Sequence, residues 1–400
     1  MATASRLIAS SVTLLAATVA SCASGASTND DAVVSPPPAP TAPTPSSPSP
    51  TTPPSPGAPS PGVALQQTLD DWFGTGDIGG AVAAIGLADG TVHVAKTGDA
   101  APGEPAQPGD TMRIGSITKT FMAALTLRLD DLGVLDIDDP VAAHLPDLDI
   151  DDTVTIRDLL GHTSGIADPD PAQIIALFRK DSGQRFDYQD LISFADIPTS
   201  SRPHVAEFVY ANSGYHVLGG VIEAATGTDV ASALRRHILE PAGLTRTHLA
   251  GAEDVPTPIV PGNVDLDGDG HEDTLAGIPY LAVETHMWTA GALVSTADDI
   301  IRFTRALFAG TIISDHALAQ MTDTSTAEHG HGLGIFDLRV NGQTVYGNSG
   351  AAPGFHANFA HRPTDATTVV VFTNCPSCPI DGIDTWQLLV DLLTIATDSA

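Results

Sequence analysis

Two different spacings of hydrophobic residues divide the chain into segments of predicted helix and predicted strand. An amphipathic run from Val63 to Phe73 has the spacing of a helix. Two apolar runs follow between Gly80 and Lys96, separated by the dipeptide Asp89-Gly90. Because Asp-Gly between apolar runs favours a tight hairpin turn, we expect the first two strands of a sheet here.

The middle of the chain has helical patterning. A helix that begins at Ser116 and ends near Gly133, a natural C-cap residue, is apolar on more than one face and should be buried. Further helices, interrupted by loops, are predicted between Val154 and Ala195, over Gly214–Ala225 and Val230–Leu239, and after an N-cap at Ser295-Thr296.

Beyond Gly332 the pattern returns to that of strands. A turn at Asn341-Gly342 separates two of them, and two more are predicted over Phe355–Ala360 and Thr367–Thr373, before a last helix over Ile383–Ile395. Strands at both ends with helices between them predict an α/β fold. We expect an antiparallel sheet built from both termini and flanked by helices, with a mostly helical lobe inserted in its middle.

The first 62 residues are predicted to precede the folded domain. Residues 1–22 have the features of a lipoprotein signal peptide, since Arg6 precedes an apolar stretch too short to span a bilayer. The stretch ends in Val19-Ala20-Ser21-Cys22, which resembles the lipobox whose cysteine is lipidated. Residues 23–62 are rich in Pro, Ser and Thr, which favours an extended linker. Residues 63–400 then form the folded domain.

This arrangement predicts an extracytoplasmic lipoprotein that is held to the cell membrane only by lipid on Cys22. The alternative is a secreted protein whose ordinary signal peptide contains a cysteine. The formal net charge is -31, from 48 acidic and 17 basic residues. Such a surface repels nucleic acids and anionic lipid headgroups, so neither is expected as a partner, and no obligate protein partner is implied.

Ser116 and Lys119 are the first candidates for chemistry. They lie three residues apart at the start of the predicted helix and therefore share one of its faces. Ser-x-x-Lys at a helix start is typical of an acylating serine. The chain has only three lysines, which makes this spacing more informative.

Two further motifs follow along the chain, Tyr210-Ala211-Asn212 and Asn348-Ser349-Gly350. The three residues of the latter motif are candidates for binding the substrate or its oxyanion. A serine needs a neighbouring base to attack a carbonyl at neutral pH, and a buried Lys–Tyr pair can act as one coupled unit. Asn212 is expected to orient the lysine or a substrate amide. The backbone N–H groups of Ser116 and of Ala351, just past the third motif, are the candidates for an oxyanion hole.

With these motifs in order, the chain resembles the serine β-lactamase and penicillin-binding-protein superfamily, in its class C-like branch of β-lactamases, D-Ala-D-Ala carboxypeptidases and esterases. The resemblance extends from Val63 nearly to the C-terminus. It rests on R-I-G-S-I-T-K-T-F, T-I-R-D-L-L-G-H-T-S-G-I, Y-A-N-S-G-Y, T-A-G-A-L-V-S-T-A-D-D-I and G-A-A-P-G-F. It implies a Ser116 nucleophile with Lys119, a Tyr210 general base, an acyl-enzyme intermediate, and no metal or other cofactor for catalysis.

Asn348 departs from the pattern of this branch, which usually has His or Lys at that position. A cation there would help to bind a substrate carboxylate, whereas an amide carries no charge. The departure shifts the expected substrates toward esters, amides or other D-amino-acid derivatives, unless an arginine from elsewhere in the chain compensates.

Several other residues that could take part in chemistry also have a structural interpretation. His162, in the turn G-H-T-S-G, is interpreted as structural rather than catalytic. Met287-Trp288 is equally compatible with lining the cleft and with packing in the core. Cys375 and Cys378 follow a strand, and a local disulfide is favoured over a redox role.

An Asp-rich segment is the one candidate for a metal. It matches the first half of a calcium-binding loop, but Ala276 stands where an EF-hand has Glu. A structural calcium site and an acidic surface hairpin are therefore both left open. The candidate ligands are Asp265, Asp267, Asp269 and Asp273.

The sequence thus predicts an envelope-located serine hydrolase that works through an acyl-enzyme on Ser116. Its substrate would be an ester, amide or D-amino-acid peptide, as for a D-Ala-D-Ala carboxypeptidase or an esterase, either a small molecule or derived from peptidoglycan. The alternative is a non-catalytic penicillin-binding or sensing lipoprotein on the same scaffold. Retention of Ser, Lys, Tyr and Asn together argues against that alternative.

Overall fold

The strands of the protein fall in the two regions predicted for them and in short segments between. The computed structural model describes residues 59–73, 79–199, 207–264, 273–324, 330–375 and 385–397. Within these ranges the strands are β1 (Gly80–Gly86), β2 (Val92–Ala101), β3 (Glu104–Pro105), β4 (Met112–Arg113), β5 (His248–Leu249), β6 (Asn263–Val264), β7 (Asp273–Thr274), β8 (Leu293–Ser295), β9 (Phe336–Val340), β10 (Gln343–Ala352), β11 (Phe355–Arg362) and β12 (Thr367–Thr373).

The helices lie at the two ends and through the middle of the described chain. They are α1 (Pro61–Phe73), α2 (Ile117–Asp131), α3 (Val141–His144), α4 (Ile156–Leu160), α5 (Pro171–Lys180), α6 (Tyr188–Phe194), α7 (Asn212–Thr226), α8 (Val230–Leu234), α9 (Leu281–Gly291), α10 (Ala297–Phe308), α11 (Asp315–Met321) and α12 (Thr385–Thr397). A π-helical turn, Arg235–Leu239, continues α8. The predicted helix over Val230–Leu239 is therefore present with a change of winding in its middle.

Seven strands form the main sheet in the order β3-β2-β1-β12-β11-β10-β9, and each neighbouring pair is antiparallel. Strand β1 pairs with β12, so that Ala81 lies opposite Thr373. The first and last of the described strands thus meet in the middle of the sheet. The predicted fold class, an antiparallel sheet from both termini with a helical lobe inserted, is confirmed.

Both predicted hairpin turns are confirmed, and the second shows why its residues are needed. Asn341 and Gly342 have φ angles of 51° and 78°, in the left-handed region that a two-residue turn between twisted strands requires. The boundaries of the terminal helices differ slightly from those expected. Helix α1 begins at Pro61, two residues inside the predicted linker, and α12 extends to Thr397.

Two hydrophobic cores lie on opposite faces of the sheet, because successive strand residues point to opposite faces. In β1, Val82 and Ala84 belong to the larger core, whereas Ala81, Ala83 and Ile85 belong to the smaller one under α1 and α12. The larger core encloses α2, whose Phe121 stacks on Phe303 of α10 with ring centroids 3.7 Å apart. Helix α2 is buried on all sides, as its sequence predicts.

The N-terminal part of the chain up to residue 58 contains the predicted signal peptide, Cys22 and most of the linker, and it lies outside the described residues. In the part of the chain that is described, no helix combines the length and the apolarity needed to cross a membrane. The lipid anchor therefore stays a prediction.

Strand β10 crosses directly over the start of α2, and Gly350 makes this possible. A methyl group on Gly350 would overlap the carbonyl oxygen of Ile114 and lie 2.8 Å from the amide nitrogen of Ser116. Both atoms belong to rigid backbone, so the strand would have to move away from the helix.

We predict that Gly350→Ala lowers the free energy of unfolding by about 1–3 kcal/mol or more, the range for overpacking a rigid interior. Gly214→Ala is the matched control, because its new methyl would meet no atom nearer than 3.8 Å. Urea unfolding of both variants checks this. Equal stability of the two variants would contradict the close approach.

Candidate active site

Ser116 is held at the start of the buried helix α2. It occupies the N-cap with φ and ψ of -62° and -10°. The preceding residue, Gly115, has a φ of 50°, and a Cβ there would stand 2.5 Å from the amide nitrogen of Ala351. Glycine is required at this position on both counts, since the backbone is left-handed and the space is filled.

Lys119 and Tyr210 both reach the Ser116 hydroxyl. Lys119 Nζ lies 3.1 Å from Ser116 Oγ, and the Tyr210 hydroxyl lies 2.8 Å from the same atom. Lys119 Nζ also donates to Asn212 Oδ1 at 2.8 Å and to the carbonyl oxygen of Ala290 at 2.7 Å. The side chain is buried, and these three oxygens match the three N–H donors of an ammonium group.

Asp168 fixes the position of Asn212. Its carboxylate accepts hydrogen bonds from the backbone N–H of Asn212 at 2.9 Å, from Asn212 Nδ2 at 2.9 Å and from the backbone N–H of Ser213 at 2.7 Å. These groups form the first turn of α7, where a carboxylate also compensates the helix dipole. Because Asn212 Nδ2 donates to Asp168, the Oδ1 atom of the same amide faces Lys119 and accepts its hydrogen bond.

His162 supports Tyr210 from behind. Its Nδ1 accepts the backbone N–H of Ala211 at 3.2 Å, and its ring centroid lies 4.4 Å from that of Tyr210. Burial, and to a lesser degree the charge of Lys119, hold the pKa of His162 well below its usual range, so the ring is neutral. These contacts fit the prediction that His162 is structural.

The candidate oxyanion hole lies where β10 meets α2. Atoms of Gly115 and Gly350 bring the backbone of Ala351 against that of Ser116, as described for the two glycines. Ser116 and Ala351 also line the same cleft. The role of their backbone N–H groups as an oxyanion hole stays a prediction.

Asn348 lies beneath the cleft instead of in it. Its Nδ2 donates to Thr120 Oγ1 at 3.0 Å and to the carbonyl oxygen of Gly334 at 3.1 Å, while Oδ1 accepts the backbone N–H of Ser349. The expected role as a substrate contact is therefore replaced by a structural one, because the amide is already hydrogen-bonded within the protein. The neighbouring Ser349 is half-buried, and its Oγ lies 3.3 Å from His356 Nε2.

A cleft of about 140 Å³ opens from Ser116. Tyr210, Asn212 and Ala351 line it close to the serine. By its sequence, Met287-Trp288 is compatible with lining the cleft or with packing in the core. Met287 lines the cleft. Trp288 packs instead on the helical lobe, close to Gly219 of α7.

The order and geometry of this site can now be compared with known proteins. A family model described as Beta-lactamase matches residues 65–392. The chain belongs to the Beta-lactamase family. The predicted superfamily and its fold are thereby confirmed.

Three members of this family illustrate its range. The chain is 27% identical over 270 residues to the putative penicillin-binding protein PbpX of Bacillus subtilis, covering 67% of the chain and 63% of that protein. It is 28% identical to a D-aminopeptidase of Gluconobacter oxydans, covering 74% of the chain and 55% of that protein. Among solved structures, a D-stereospecific amidohydrolase from Streptomyces sp. is 26% identical with a TM-score of 0.68, covering 78% of the chain and 94% of that structure. The chain thus spans less than two thirds of the length of either curated relative.

The remaining predicted sites fall wholly or partly outside the described residues. Of the four candidate calcium ligands, only Asp273 is described, in the two-residue strand β7, and the described residues contain no cluster of three metal-binding side chains. Cys375 is buried and takes part in a disulfide, as predicted. Its expected partner, Cys378, lies outside the described residues, as does Cys22.

Asp168 is the functional residue that sequence reasoning missed. It stands between Ala167 and Pro169 in a loop, 44 residues before Asn212. The only signal was an acidic residue close to the G-H-T-S-G-I phrase, and such residues are common on a surface of this charge.

We predict that Asp168→Asn slows acylation of Ser116 by about 100-fold, the order expected when a reacting group is displaced by about 1 Å. The amide would direct N–H groups at the backbone donors of α7, so Asn212 would lose its fixed orientation. The measurement is the first-order labelling rate with a fluorophosphonate, below the unfolding temperature of each variant. Asp170→Asn is the control, because Asp170 caps α5 through the Ala172 N–H and Asn caps a helix equally well. Equal labelling rates in the two variants would exclude this role.

Proposed function

We propose that the protein is a serine hydrolase that forms an acyl-enzyme on Ser116. It acts on esters and amides that have no carboxylate next to the scissile bond, including those of D-amino acids. The observation that carries the proposal is the position of Ser116 Oγ, which lies within hydrogen-bonding distance of both Lys119 Nζ and the Tyr210 hydroxyl. A serine held only for structure has no need of two such neighbours in a cleft.

In the acylation step, Ser116 Oγ forms a bond to the substrate carbonyl carbon and its proton passes to the deprotonated oxygen of Tyr210. Lys119 Nζ lies 4.9 Å from the centre of the Tyr210 ring, where a positive charge stabilises that anion. Lys119 keeps its own proton because three oxygens surround the ammonium group. We therefore assign proton transfer to Tyr210 and charge stabilisation to Lys119.

The carbonyl oxygen gains negative charge as the bond to Ser116 forms. Ser116 and Ala351 both line the cleft, and we assign the stabilisation of this charge to their backbone N–H groups. When the tetrahedral intermediate collapses, the bond from carbon to the leaving nitrogen or oxygen breaks, and Tyr210 returns the proton to the leaving group. Water then attacks the acyl-enzyme in the same way, with Tyr210 accepting its proton.

The charge of the cleft disfavours substrates with a carboxylate next to the scissile bond. Among the described residues that line it there is no arginine, and no lysine apart from Lys119 lies at the reacting serine. Asn348 is neutral and is occupied by Thr120 and Gly334. A free carboxylate next to the scissile bond, as in a terminal D-alanine, therefore has no cation to bind it. The similarity to a D-aminopeptidase and a D-stereospecific amidohydrolase supports D-amino-acid derivatives instead.

We predict that a fluorophosphonate labels the wild-type protein and that Ser116→Ala abolishes both the labelling and the hydrolysis of p-nitrophenyl acetate. The expected loss in kcat/KM is at least about 1,000-fold, as when a catalytic nucleophile is removed. Ser349→Ala is the control, since Ser349 lies on β10 and is bonded to His356 instead of Lys119; it should still be labelled. Unchanged hydrolysis in Ser116→Ala would refute the mechanism.

The same experiment separates this proposal from the alternative, a non-catalytic penicillin-binding or sensing protein. Stable labelling by a fluorescent penicillin, with no turnover of esters, amides or nitrocefin, would favour the alternative. Release of product in excess of the enzyme concentration favours a hydrolase.

We also propose that the protein is anchored outside the cytoplasm by lipid on Cys22. The support is the small-residue segment Val19-Ala20-Ser21-Cys22 after an apolar stretch, followed by a linker rich in proline. We predict that the full chain expressed in a bacterial host incorporates radiolabelled palmitate and enters the detergent phase of Triton X-114. Cys22→Ala should abolish both, whereas Cys375→Ala should leave the incorporation of palmitate intact. Incorporation in Cys22→Ala would refute the anchor.

A further inference from the structure

The cleft continues beyond Ser116 into a side pocket with aromatic and aliphatic walls. Six of its residues come from three helices of the inserted lobe: Ile174 and Phe178 of α5, Leu191 and Phe194 of α6, and Val283 and Met287 of α9. Two histidines, His216 and His286, complete it. The His286 ring meets those of Phe178 and His216 nearly at right angles, with centroids 5.5 and 5.9 Å away.

His216 brings a polar atom into this otherwise apolar pocket. Its side chain is 3% exposed, and its Nε2 atom has no hydrogen-bond partner among the described residues. A buried polar atom without a partner is costly, by about 1–3 kcal/mol, and usually indicates a missing ligand or water. Since His216 lines the cleft that begins at Ser116, a substrate group is the candidate partner of Nε2.

The two histidines of the pocket carry no charge at neutral pH. Burial lowers the pKa of His216 well below its usual range, and it lowers the pKa of His286 to about 4. Asp168 also lines the cleft, but its carboxylate already accepts three hydrogen bonds at the start of α7. A carboxylate entering the pocket would lose its hydration without gaining an opposite charge. A cation would meet only the Asp168 carboxylate, whose hydrogen bonds are already made within the protein.

We infer that this side pocket binds the side chain of the acyl group, that this side chain is an uncharged aromatic ring with a hydroxyl at its tip, and that the hydroxyl hydrogen-bonds to His216 Nε2. The inference rests on the proposed function, which places the carbonyl of the acyl group at Ser116. The walls match a ring because edge-to-face contacts with Phe178 and Phe194 are available to it.

A hydroxyl is favoured because it can pair with Nε2 in either tautomer of the neutral ring. It donates to Nε2 when the ring proton is on Nδ1, and it accepts from Nε2 when the proton is there. Nε2 has no partner among the described residues, and the phenol of a tyrosine-type side chain provides one.

The test compares the amides of D-tyrosine and D-phenylalanine, with those of D-glutamate and D-lysine as charged probes. Wild-type protein should have a kcat/KM for the tyrosine amide on the order of tenfold above that for the phenylalanine amide, the value of one buried hydrogen bond. The charged amides should be slower than the phenylalanine amide by at least about 100-fold.

The variant His216→Leu should remove the preference for tyrosine while still hydrolysing the phenylalanine amide, which also shows that it folds. His216→Gln, which keeps an acceptor, should retain part of the preference. The control is His316→Leu, because His316 is exposed on α11 away from the cleft. The ratio of its kcat/KM for the tyrosine amide to that for the phenylalanine amide should equal the wild-type ratio.

Two failures can be told apart. If p-nitrophenyl acetate is hydrolysed and Ser116 is labelled, but the wild-type ratio is 1 or His216→Leu leaves it unchanged, this inference is overturned and the proposed function stands. If Ser116 is not labelled by a fluorophosphonate and no ester or amide is hydrolysed, the proposed function fails and the inference fails with it.

Discussion

The buried ammonium group of Lys119 is the constraint on which the rest of the site depends. An unpaired charge in this position would cost several kcal/mol. The Lys119 ammonium group donates to three oxygens that come from three helices: Ser116 at the start of α2, Asn212 at the start of α7 and Ala290 near the end of α9. The helical lobe must therefore be docked on α2 before the charge is stabilised, so assembly of the fold and of the site are one event.

Much of the fold was predictable because the interactions that specify it are local. The turn at Asn341-Gly342, the N-cap at Thr296 and the i,i+3 spacing of Ser116 and Lys119 each depend on residues within a few positions of one another. The sheet could be predicted because strand patterns occur near both ends of the folded domain, with helical patterns between them. The convergence of Tyr210 and Asn212 on Ser116 was expected from the family resemblance, since local spacing carries no information over 94 residues.

The parts that could not be predicted depend on contacts between distant loops. Asp168 acts through hydrogen bonds to the start of α7, which no pattern around residue 168 indicates. Asn348 was expected to face the substrate because of its place in a motif, but its amide is fixed by Thr120 and Gly334. The apolar wall of the cleft is assembled from three helices whose own patterns indicate only that one side is buried.

The pairing of β1 with β12 has a consequence for how the chain reaches its structure. Ala81 and Thr373 are neighbours although they lie 292 positions apart in the sequence. Contacts of such long range are slow to form, because loop closure costs entropy before pairing repays it. The central pair of the sheet can form only after almost the whole polypeptide has been synthesised. Helices of the lobe can form earlier, so an incomplete chain would expose the edges of β1 and the apolar faces that later cover it.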